Sequence, residues 1–466
     1  MSQSVPISLF RDKLNAISPS FCAAKWNQVT LHLQTGHNHS CHHPQTHKIP
    51  LDELAANPSA LHNTHFKKLQ RKKMLEGVRP TECDYCWRIE DSSPDAISDR
   101  TYKSSEPWAR PYIDSIKAMP WDADVAPTYL EVSFSSVCNF KCSYCSPEVS
   151  SKWMEEIERF GPYPTSNQFG NIEWLKHKDA MPIPHSHDNP YVEAFWKWWP
   201  EIYTTLEHFR ITGGEPLMTK DTFKVLDYVI EHPNPNLTLS INSNMGVPDS
   251  LLDKFIEKIK IICNEGKVKQ FKIFTSCDAF GEQANYIRHG LDYTKWLSNI
   301  RKVLDTVPNC TFTVMSTYNA LSVFSYIPFM QDILDIKMEY ADYKTQHAPM
   351  ILDTPYLRYP EHQAIFILPR EELKAHLFEQ TTFMYKNLQY AGWMGTANRG
   401  FFQWEADKFK RIYELVMHDI DDPAMPVTTY QKDFVSFVDE HDARRGTHFL
   451  NTFPQMGDTY TKWKNG

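Results

Sequence analysis

Short apolar runs alternate with longer amphipathic segments through the middle of the chain. TYLEVSF (128–134), LEHFRITGGEPL (206–217) and NLTLSINSNM (236–245) have the apolar pattern of buried strands. The last two are followed by segments with helical periodicity, DTFKVLDYVIEH and DSLLDKFIEKIKIICNEG. The same order returns at VKQFKIFTSCDA (268–279) and CTFTVMSTYN (310–319), with YTKWLSNIRKVLDTV between them. Strands that alternate with helices of about 10–15 residues indicate βαβ units, so we expect an α/β fold with a parallel sheet.

Polar residues of unusual kinds follow these predicted strands. In chain order the strand ends lead into a cysteine-rich loop, GGEP, NSN, SCD and MST. The carboxyl ends of parallel barrel strands share one face, where the active sites of such barrels are built. The sequence therefore predicts a site at that face. The flanks differ: residues 20 to 100 are rich in Cys, His and Asn, and residues 345 to 466 contain helical segments such as EADKFKRIYELVMHDI and KDFVSFVDEHDARR.

Three of the ten cysteines, Cys138, Cys142 and Cys145, lie within the stretch SVCNFKCSYCSP. A disulfide uses only two sulfurs and is geometrically awkward across such short loops. A zinc site takes four ligands, usually as two separated pairs. A cubic [4Fe-4S] cluster held by three cysteines keeps one iron free to bind a further ligand. We therefore interpret this loop as an iron–sulfur site with one open position.

Composition limits the other possibilities. With 41% apolar and 13% aromatic residues, the 466-residue chain can build sizeable cores. A net charge of −8 argues against a protein dominated by nucleic-acid phosphate contacts. No signal peptide, long apolar stretch or lipidation motif is recognisable, so we expect a cytoplasmic protein without membrane contact. Clustered cysteines in a reducing compartment favour metal or redox use.

The CxxxCxxC motif, with Tyr144 before its last cysteine, resembles that of the radical S-adenosylmethionine (SAM) superfamily. The resemblance implies that Cys138, Cys142 and Cys145 hold a [4Fe-4S] cluster whose fourth iron binds the amino and carboxylate groups of SAM. It also implies the chemistry of this cofactor pair, in which reductive cleavage of SAM gives a 5′-deoxyadenosyl radical that abstracts hydrogen from carbon.

The same resemblance implies which residues contact SAM, and Tyr144 of the cysteine loop is one of them. Gly213-Gly214-Glu215-Pro216 matches the family's GGEP, whose backbone and acid contact the SAM amino group. Ser276 and Asp278 resemble the family's SxD, and Arg288 stands where relatives place an arginine that pairs with the SAM carboxylate.

Two further strand ends complete the implied SAM contacts. Asn242 and Asn244 resemble the end that contacts the ribose, although the sequence here is SNMG where relatives often have TNG. Met315 stands where the fifth strand borders the adenine.

Four cysteines precede the barrel pattern: Cys22, Cys41, Cys83 and Cys86. Their arrangement, with the ending CDYCW, resembles the twitch domain, a shortened relative of the SPASM domain that binds one auxiliary [4Fe-4S] cluster. In many relatives this domain follows the barrel, whereas here it precedes it. The resemblance implies electron relay from a product radical. A zinc site remains the alternative, since a CxxC pair with two further cysteines or a neighbouring histidine, His42 or His43, also suits zinc.

Together these features predict a partial (β/α)6 TIM-like radical SAM barrel over residues 125–345. A twitch-like cluster module is expected over 1–105 and a helical extension over 346–466. The predicted function is SAM cleavage followed by hydrogen abstraction from a carbon of a peptide, sugar or other small metabolite, leading to oxidation, epimerisation or bond formation. The alternatives are a radical SAM methyl- or sulfur-transferring enzyme and a non-enzymatic metal-binding or electron-transfer protein.

Three features outside the motifs give further expectations. Cys263, Cys277 and Cys310 lie in apolar patterns and are expected in the core. HSHDNPYVEAFWKWWPE is expected to form an aromatic helix packed on the barrel, or else to help build a binding site. The basic run at 67–73 is expected to be a solvated helix face, with docking of an acidic electron donor as the alternative. The predicted partners are therefore an electron donor such as flavodoxin or ferredoxin and the substrate.

Overall fold

The computed structural model describes residues 6–341, 349–389, 400–418 and 425–466. The strands, in chain order from β1 to β11, are Gln28–His32, His37–His39, His47–Lys48, Tyr129–Ser133, Lys141–Cys142, His208–Thr212, Asn234–Asn242, Val268–Ser276, Arg288–His289, Thr311–Met315 and Met350–Asp353.

The α-helices, in chain order from α1 to α20, are Ile7–Ile17, Ala24–Asn27, Leu51–Ala56, His65–Leu75, Asp84–Ser92, Asp99–Ser105, Ile113–Ala118, Ser151–Phe160, Ile172–His177, Pro190–Ile202, Lys220–Glu231, Asp249–Asn264, Gly281–Ile287, Tyr293–Thr306, Tyr326–Glu339, Arg370–Lys386, Gln403–Met417, Val427–Arg445, Phe449–Thr452 and Gly457–Asn465. Over the described ranges, no helix is both long and apolar enough to cross a membrane.

The chain forms two compact units that are interleaved in sequence. Unit 1 consists of Met1–Ser136, Asp179–Gly213 and Pro233–Ser240, and unit 2 consists of Val137–Lys178, Gly214–His232 and Ile241–Gly466. The boundaries predicted near residues 105, 125 and 345 remain a prediction.

In unit 1 the strand order is β7-β6-β4-β1-β2-β3. β1, β4 and β6 are parallel neighbours, whereas β1, β2 and β3 pair antiparallel. Helices α1, α2 and α5 pack around a buried apolar cluster that includes Phe10, Phe21, Trp26, Trp87 and Trp108. The sequence analysis did not anticipate that β1, from the cysteine- and histidine-rich N-terminal region, would pair along its whole length with β4.

The aromatic helix α10 packs as expected. The Asn189 side chain accepts hydrogen bonds from the first backbone N–H groups of the helix, which fixes where it begins. Phe195 and Trp199 are buried, stack on each other with ring centroids 5.2 Å apart, and contact Phe209 of β6. The prediction that this segment forms a packed aromatic helix is therefore confirmed.

In unit 2, β8, β10 and β11 form a parallel sheet, and the short strands β5 and β9 pair antiparallel. Helix α12 shows how the pattern specifies its element, because its buried residues recur at helical spacing, at Leu252, Phe255, Ile256, Ile259 and Ile262. Helices alternate with parallel strands along the chain, and over the described residues the strands do not close into a barrel. This confirms the predicted α/β fold with a partial barrel.

Two minor expectations have mixed outcomes. Cys277 and Cys310 are fully buried as predicted, whereas Cys263 is only partly buried. The basic run on α4 was expected to be solvated, which is wrong for Lys67 and Arg71, because both are buried. Lys67 Nζ lies 2.7 Å from His62 Nδ1, and Arg71 bonds to Asn63 and to the backbone of Lys25, so these polar groups are satisfied inside unit 1.

Candidate active site and metal centre

The cysteine loop of unit 2 is folded by its own backbone and by one tryptophan. The amide of Phe140 lies 3.4 Å from Cys138 Sγ, and the amide of Cys145 donates to the carbonyl of Cys142. Trp153 of α8 donates its indole N–H to the same carbonyl at 2.8 Å. These bonds fix the shape of the loop.

The three thiols of this loop lie in an environment that disfavours their charged form. Burial raises the pKa of Cys138 to about 12 and also raises the pKa values of Cys142 and Cys145. Arg288 opposes this effect at Cys142, since its Nη1 lies 3.5 Å from Cys142 Sγ. Metal ions bind thiolates, so binding of a cluster here must release the thiol protons. The positive charge of the irons must then stabilise the thiolates, which burial disfavours.

Arg288 reaches Cys142 because β5 and β9 pair with these two residues opposite each other. The guanidinium is held by Asp278, with Nε 2.8 Å from Oδ2 in an ion pair and Nη2 3.1 Å from Oδ1, and it also contacts the Tyr144 hydroxyl. Tyr144 donates to Asp278 Oδ2 at 2.8 Å, and the amide of Thr317 donates to Oδ1 at 2.8 Å. Three residues predicted as SAM contacts thus form a buried network that positions one cluster cysteine.

Glu215 forms a second polar centre in unit 2. It is 2% exposed, and its carboxylate accepts hydrogen bonds from the amides of Asn244 at 2.6 Å and Leu217 at 3.0 Å. Burial raises its pKa to about 7 despite these bonds. Its own amide donates to the carbonyl of Val137, the residue before Cys138, and the Asn244 side chain donates to Asn139 at 2.8 Å. The GGEP acid and the ribose-type asparagine therefore lie beside the cysteine loop.

The other predicted SAM contacts lie at strand ends. Asn242 ends β7, Ser276 ends β8, and Met315 ends β10 directly opposite Ser276. Pro216 begins a short 3₁₀ helix. Gly213 belongs to unit 1, where its φ of +121° and the close approach of Ser133 Oγ and the Ser135 carbonyl, each 2.7 Å from the place of a Cβ, leave room only for glycine. Gly214 follows it at the start of the turn.

The C-terminal region supports the loop through a buried ion pair. Arg445 of α18 contacts the Glu156 carboxylate through Nη2 at 2.9 Å and Nε at 3.1 Å, and it donates to the carbonyl of Lys141 at 2.6 Å. Lys141 Nζ also pairs with Glu156 at 2.6 Å. No motif in the sequence of this tail indicates a chemical role. In the structure, its Arg445 fixes the backbone between two of the cluster cysteines.

We expect Arg445→Met to lower the free energy of unfolding by about 3–5 kcal/mol, because the Glu156 carboxylate would stay buried after losing one of its two cationic partners. Urea denaturation of the anaerobic protein measures this loss. Lys152→Met is the matched control, since it breaks the exposed pair with Glu155 and is expected to cost less than about 1 kcal/mol. Equal stability of the two variants would contradict this role of Arg445.

The four N-terminal cysteines are brought together in unit 1. Cys22, Cys41, Cys83 and Cys86 all line one cavity. Cys22 precedes α2, Cys41 follows β2, and Cys83 and Cys86 lie at the N-terminal end of α5. The fold therefore brings these four thiols into one part of unit 1.

The lining of this cavity carries charges of both signs. It includes Lys25, Arg100 and Lys103 and also Asp99, and Lys25 and Arg100 are paired with Glu82 and Glu90. The Lys25 side chain is 3% exposed; burial acts to lower its pKa, but Cys83 and Glu82 raise the pKa above the usual lysine value. Four thiolates around a zinc ion or a [4Fe-4S] cluster both carry net negative charge, so this lysine suits either occupant.

Sulfur spacing bears on the choice between zinc and a cluster. Zn–S bonds of about 2.3 Å in a tetrahedral site place the sulfurs within roughly 4 Å of each other. Over the described residues, the one set of three or more Cys, His, Asp or Glu ligand atoms within 4.8 Å of one another is His42, His43 and Asp99. Neither cysteine group meets this 4.8 Å criterion, and zinc and a cluster both stay open at the four-cysteine site.

His43 has a role that competes with metal binding. Its Nε2 lies 2.7 Å from Asp99 Oδ2, and its ring stacks on Tyr85 with centroids 3.8 Å apart. His42 is largely exposed, with Nε2 3.9 Å from the same carboxylate oxygen. Either histidine as a substitute for Cys41 in a zinc site remains the alternative.

Comparison with known proteins agrees with this site. A sequence model of the radical SAM superfamily matches residues 132–319, which include the cysteine loop, Glu215, Asp278, Arg288 and Met315. The chain is similar to the GTP 3′,8-cyclases of Nautilia profundicola, with 28% identity over 116 residues (25% of this chain and 27% of that protein), and of Aliarcobacter butzleri, with 26% identity over 132 residues (28% and 30%). The chain therefore spans less than a third of the length of these curated relatives.

Among solved structures, that of Streptococcus suis SuiB bound to S-adenosylmethionine aligns with 80% of this chain and 71% of its own, at 13% identity and a TM-score of 0.33. That score is too low to indicate a shared overall fold.

The chain contains a radical SAM domain, which is the domain of a class of enzymes that bind SAM and a [4Fe-4S] cluster. The prediction of the superfamily and of an enzyme of this class is confirmed. The twitch domain, the second cluster and the substrate stay predictions.

Proposed function

We propose that the protein is a radical SAM enzyme that cleaves SAM reductively and abstracts hydrogen from a carbon of a small substrate. The observation that carries this proposal is the cysteine loop, whose Cys142 is bonded to the buried Arg288–Asp278–Tyr144 network within the matched domain. When bound, the [4Fe-4S] cluster would supply the electron that breaks a C–S bond of SAM.

The protein's own residues divide into three tasks under this proposal. Cys138, Cys142 and Cys145 hold the cluster, and Arg288 stabilises the Cys142 thiolate by its charge and its N–H. Glu215, fixed by two backbone amides, receives the SAM ammonium group. Asn242, Ser276 and Met315 at the neighbouring strand ends, with Asn244, take the ribose and adenine.

Arg288 as partner of the SAM carboxylate stays a prediction. Its guanidinium is engaged by Asp278, Tyr144 and Cys142. Positioning of Cys142 is the role that these contacts support. An Arg288→Lys variant would keep the positive charge but lose the planar guanidinium fork. We propose that this substitution weakens the contacts to Asp278, Tyr144 and Cys142 and does not act through SAM binding alone.

We further propose that Cys22, Cys41, Cys83 and Cys86 hold an auxiliary [4Fe-4S] cluster. The cavity that all four cysteines line supports it. Full ligation by four cysteines would leave no open iron, so electron transfer from a product radical is its proposed task, with flavodoxin or ferredoxin as external donor to the enzyme. Zinc at this site, and a methyl- or sulfur-transferring reaction, remain the alternatives.

The experiment that tests the enzyme proposal is SAM cleavage by anaerobically reconstituted protein with dithionite. The wild type is expected to form 5′-deoxyadenosine, and Glu215→Ala is expected to lose this activity with its iron content intact. Glu231→Ala, at an exposed glutamate of α11, is the matched control and should behave as the wild type. A wild type that binds iron but never SAM would favour a metal-binding or electron-transfer protein instead.

SAM affinity should also depend on pH through Glu215. The carboxyl, with a pKa of about 7, loses its charge as the pH falls below that value, so its attraction for the SAM ammonium is present above pH 7 and is lost below it. From pH 8 to pH 6 we expect about a tenfold loss of affinity, measured by equilibrium binding of SAM to the reconstituted protein. Glu215→Gln should bind weakly with no such slope, and a flat wild-type profile would contradict this assignment.

A further inference from the structure

Phe140, midway between Cys138 and Cys142, places its ring in a slot that Gly246 and Gly290 line within unit 2. The side chain is 1% exposed. The backbone of Phe140 is held on both sides, because its amide lies 3.4 Å from Cys138 Sγ and its carbonyl accepts a hydrogen bond from the Ser150 hydroxyl at 3.0 Å. The ring is therefore anchored in the segment that carries the first two cysteines of the loop.

Gly246 lies against the tip of this ring. A Cβ at Gly246 would overlap Cζ of Phe140 and lie 2.9 Å from Cε1, whereas carbon atoms that are not bonded to each other pack at about 3.5–4.0 Å. The φ of Gly246 lies outside the left-handed region, so its backbone would accept a side chain. Glycine is therefore required at this position because of the Phe140 ring.

Gly290 lies against the base of the same ring. A Cβ at Gly290 would lie 2.9 Å from Cδ1 of Phe140 and 3.0 Å from the carbonyl oxygen of Asn139. The φ of Gly290 is +110°, so here the backbone conformation requires glycine as well. This glycine directly follows β9, whose Arg288 is paired with Cys142. The ring is thus enclosed at its tip by one glycine and at its base by the other.

Three hydrogen bonds in a closed circuit fix Gly246 to the cysteine loop. The Gly246 amide donates to Asn244 Oδ1 at 2.8 Å, Asn244 Nδ2 donates to Asn139 Oδ1 at 2.8 Å, and Asn139 Nδ2 donates to the Gly246 carbonyl at 2.9 Å. The amide of Asn244 also donates to Glu215 Oε2 at 2.6 Å. The turn after β7 therefore lines the slot and orients Glu215 at the same time.

Met245, between these two residues of the turn, has a left-handed backbone with a φ of +54°. A side chain makes this conformation unfavourable, and it persists only where the surrounding structure holds it. Here the Met245 amide donates to Ser243 Oγ at 3.1 Å, its carbonyl accepts from Asn299 Nδ2 at 2.7 Å, and its side chain is fully buried. We therefore expect the ring of Phe140, rather than the turn, to move when position 246 is enlarged.

We propose that Phe140 is a positioning residue that sets the cysteine loop against the turn that orients Glu215. Its side chain acts through the backbone next to Cys138 on one side and through Gly246 and Asn244 on the other. The proposal rests on the proposed function, because the two parts that Phe140 aligns are the proposed holders of the cluster and of SAM.

The first test enlarges the glycine at the tip of the ring. In the anaerobically reconstituted full-length protein, Gly246→Ala is expected to weaken equilibrium binding of SAM about tenfold or more, because the methyl group displaces the ring and with it the loop. The change that SAM causes in the electron paramagnetic resonance spectrum of the reduced protein should shrink or disappear. A Phe140 that only packs the core would lower the thermal stability of this variant and leave both measurements unchanged.

Rescue by a shorter side chain separates the slot from a general defect. Phe140→Leu removes the ring atoms that the methyl group would meet, so Gly246→Ala/Phe140→Leu is expected to bind SAM within about threefold of Phe140→Leu alone. Gly290→Ala should also weaken SAM binding, but Phe140→Leu should not rescue it. The positive φ of Gly290 and the Asn139 carbonyl exclude a side chain there whether or not the ring is present.

Gly457→Ala is the matched control and should bind SAM as the wild type, since a Cβ at this first residue of α20 meets no other group within 4 Å. Wild-type SAM affinity in Gly246→Ala, or no rescue in the double variant, would overturn the proposal. If Gly246→Ala takes up no iron, Phe140→Leu alone decides: SAM binding about three- to tenfold weaker is expected, and unchanged binding would overturn the proposal. Failure of the wild type to bind and cleave SAM would instead overturn the proposed function, since that measurement involves no variant.

Discussion

Cys142→Ala is expected to abolish formation of 5′-deoxyadenosine and to remove about four irons from the reconstituted protein. Cys142 is the cluster cysteine that Arg288 contacts and that β5 fixes opposite β9. Without Cys142 the loop has two thiols left, Cys138 and Cys145, and both have raised pKa values. Two thiols cannot bind three separate irons of the cluster. Iron analysis and chromatography of the SAM-cleavage products measure both effects.

Cys263→Ala is the matched control for this variant. Cys263 lies on α12, is only partly buried and belongs to neither cysteine group. It is expected to keep the full iron content and the full rate of SAM cleavage. SAM cleavage by Cys142→Ala at the wild-type rate would show that the loop does not hold the catalytic cluster.

The double variant Cys83→Ala/Cys86→Ala is expected to lose about half of the iron and to leave the other cluster in place. Both residues line the cavity of unit 1, whereas the SAM-site cysteines belong to unit 2. Because the proposed task of this site follows hydrogen abstraction, SAM cleavage should persist while conversion of substrate to product fails. Iron, sulfide and zinc counts, together with electron paramagnetic resonance spectra, distinguish the two sites.

Loss of one zinc with no change in iron would identify the N-terminal site as structural zinc and contradict the auxiliary cluster.

The elements of this fold are largely predictable from the sequence because their patterns are local. Helix α12 and strands β8 and β10 fall within the segments that periodicity indicates, with ends displaced by a few residues. The motifs of the radical SAM domain are also local, so their cysteines and the GGEP turn are recognised in the sequence by their resemblance to the family.

The partners of the site residues depend on tertiary contacts that spacing does not contain. The network of Arg288, Asp278 and Tyr144 requires β5 and β9 to pair across nearly 150 residues, and Arg445 reaches Glu156 across 289 positions. No motif marks either pairing. The burial of Lys67 and Arg71 was missed for the same reason, because a basic run looks solvated until its acceptors, here His62 and Asn63, are known.

Strand β1 is the element that the sequence indicated least well. The alternation in QVTLH is visible in the sequence, but the irregular region around it hid its role as a strand. The register of β1 with β4 then decides that Thr30 faces Glu131 and that Glu131 faces Arg210. The residues that share one face of this sheet are therefore known only once the strands are paired.

We propose that one chain holds a SAM-cleaving cluster and a second, fully ligated cluster. The decisive experiment is Mössbauer spectroscopy with iron, sulfide and zinc counts on the anaerobically reconstituted wild type, followed by addition of SAM and dithionite. We expect about eight irons per chain, no zinc, a spectral change at one iron of one cluster when SAM binds, and formation of 5′-deoxyadenosine. Absence of iron, or iron that neither responds to SAM nor supports its cleavage, would contradict it.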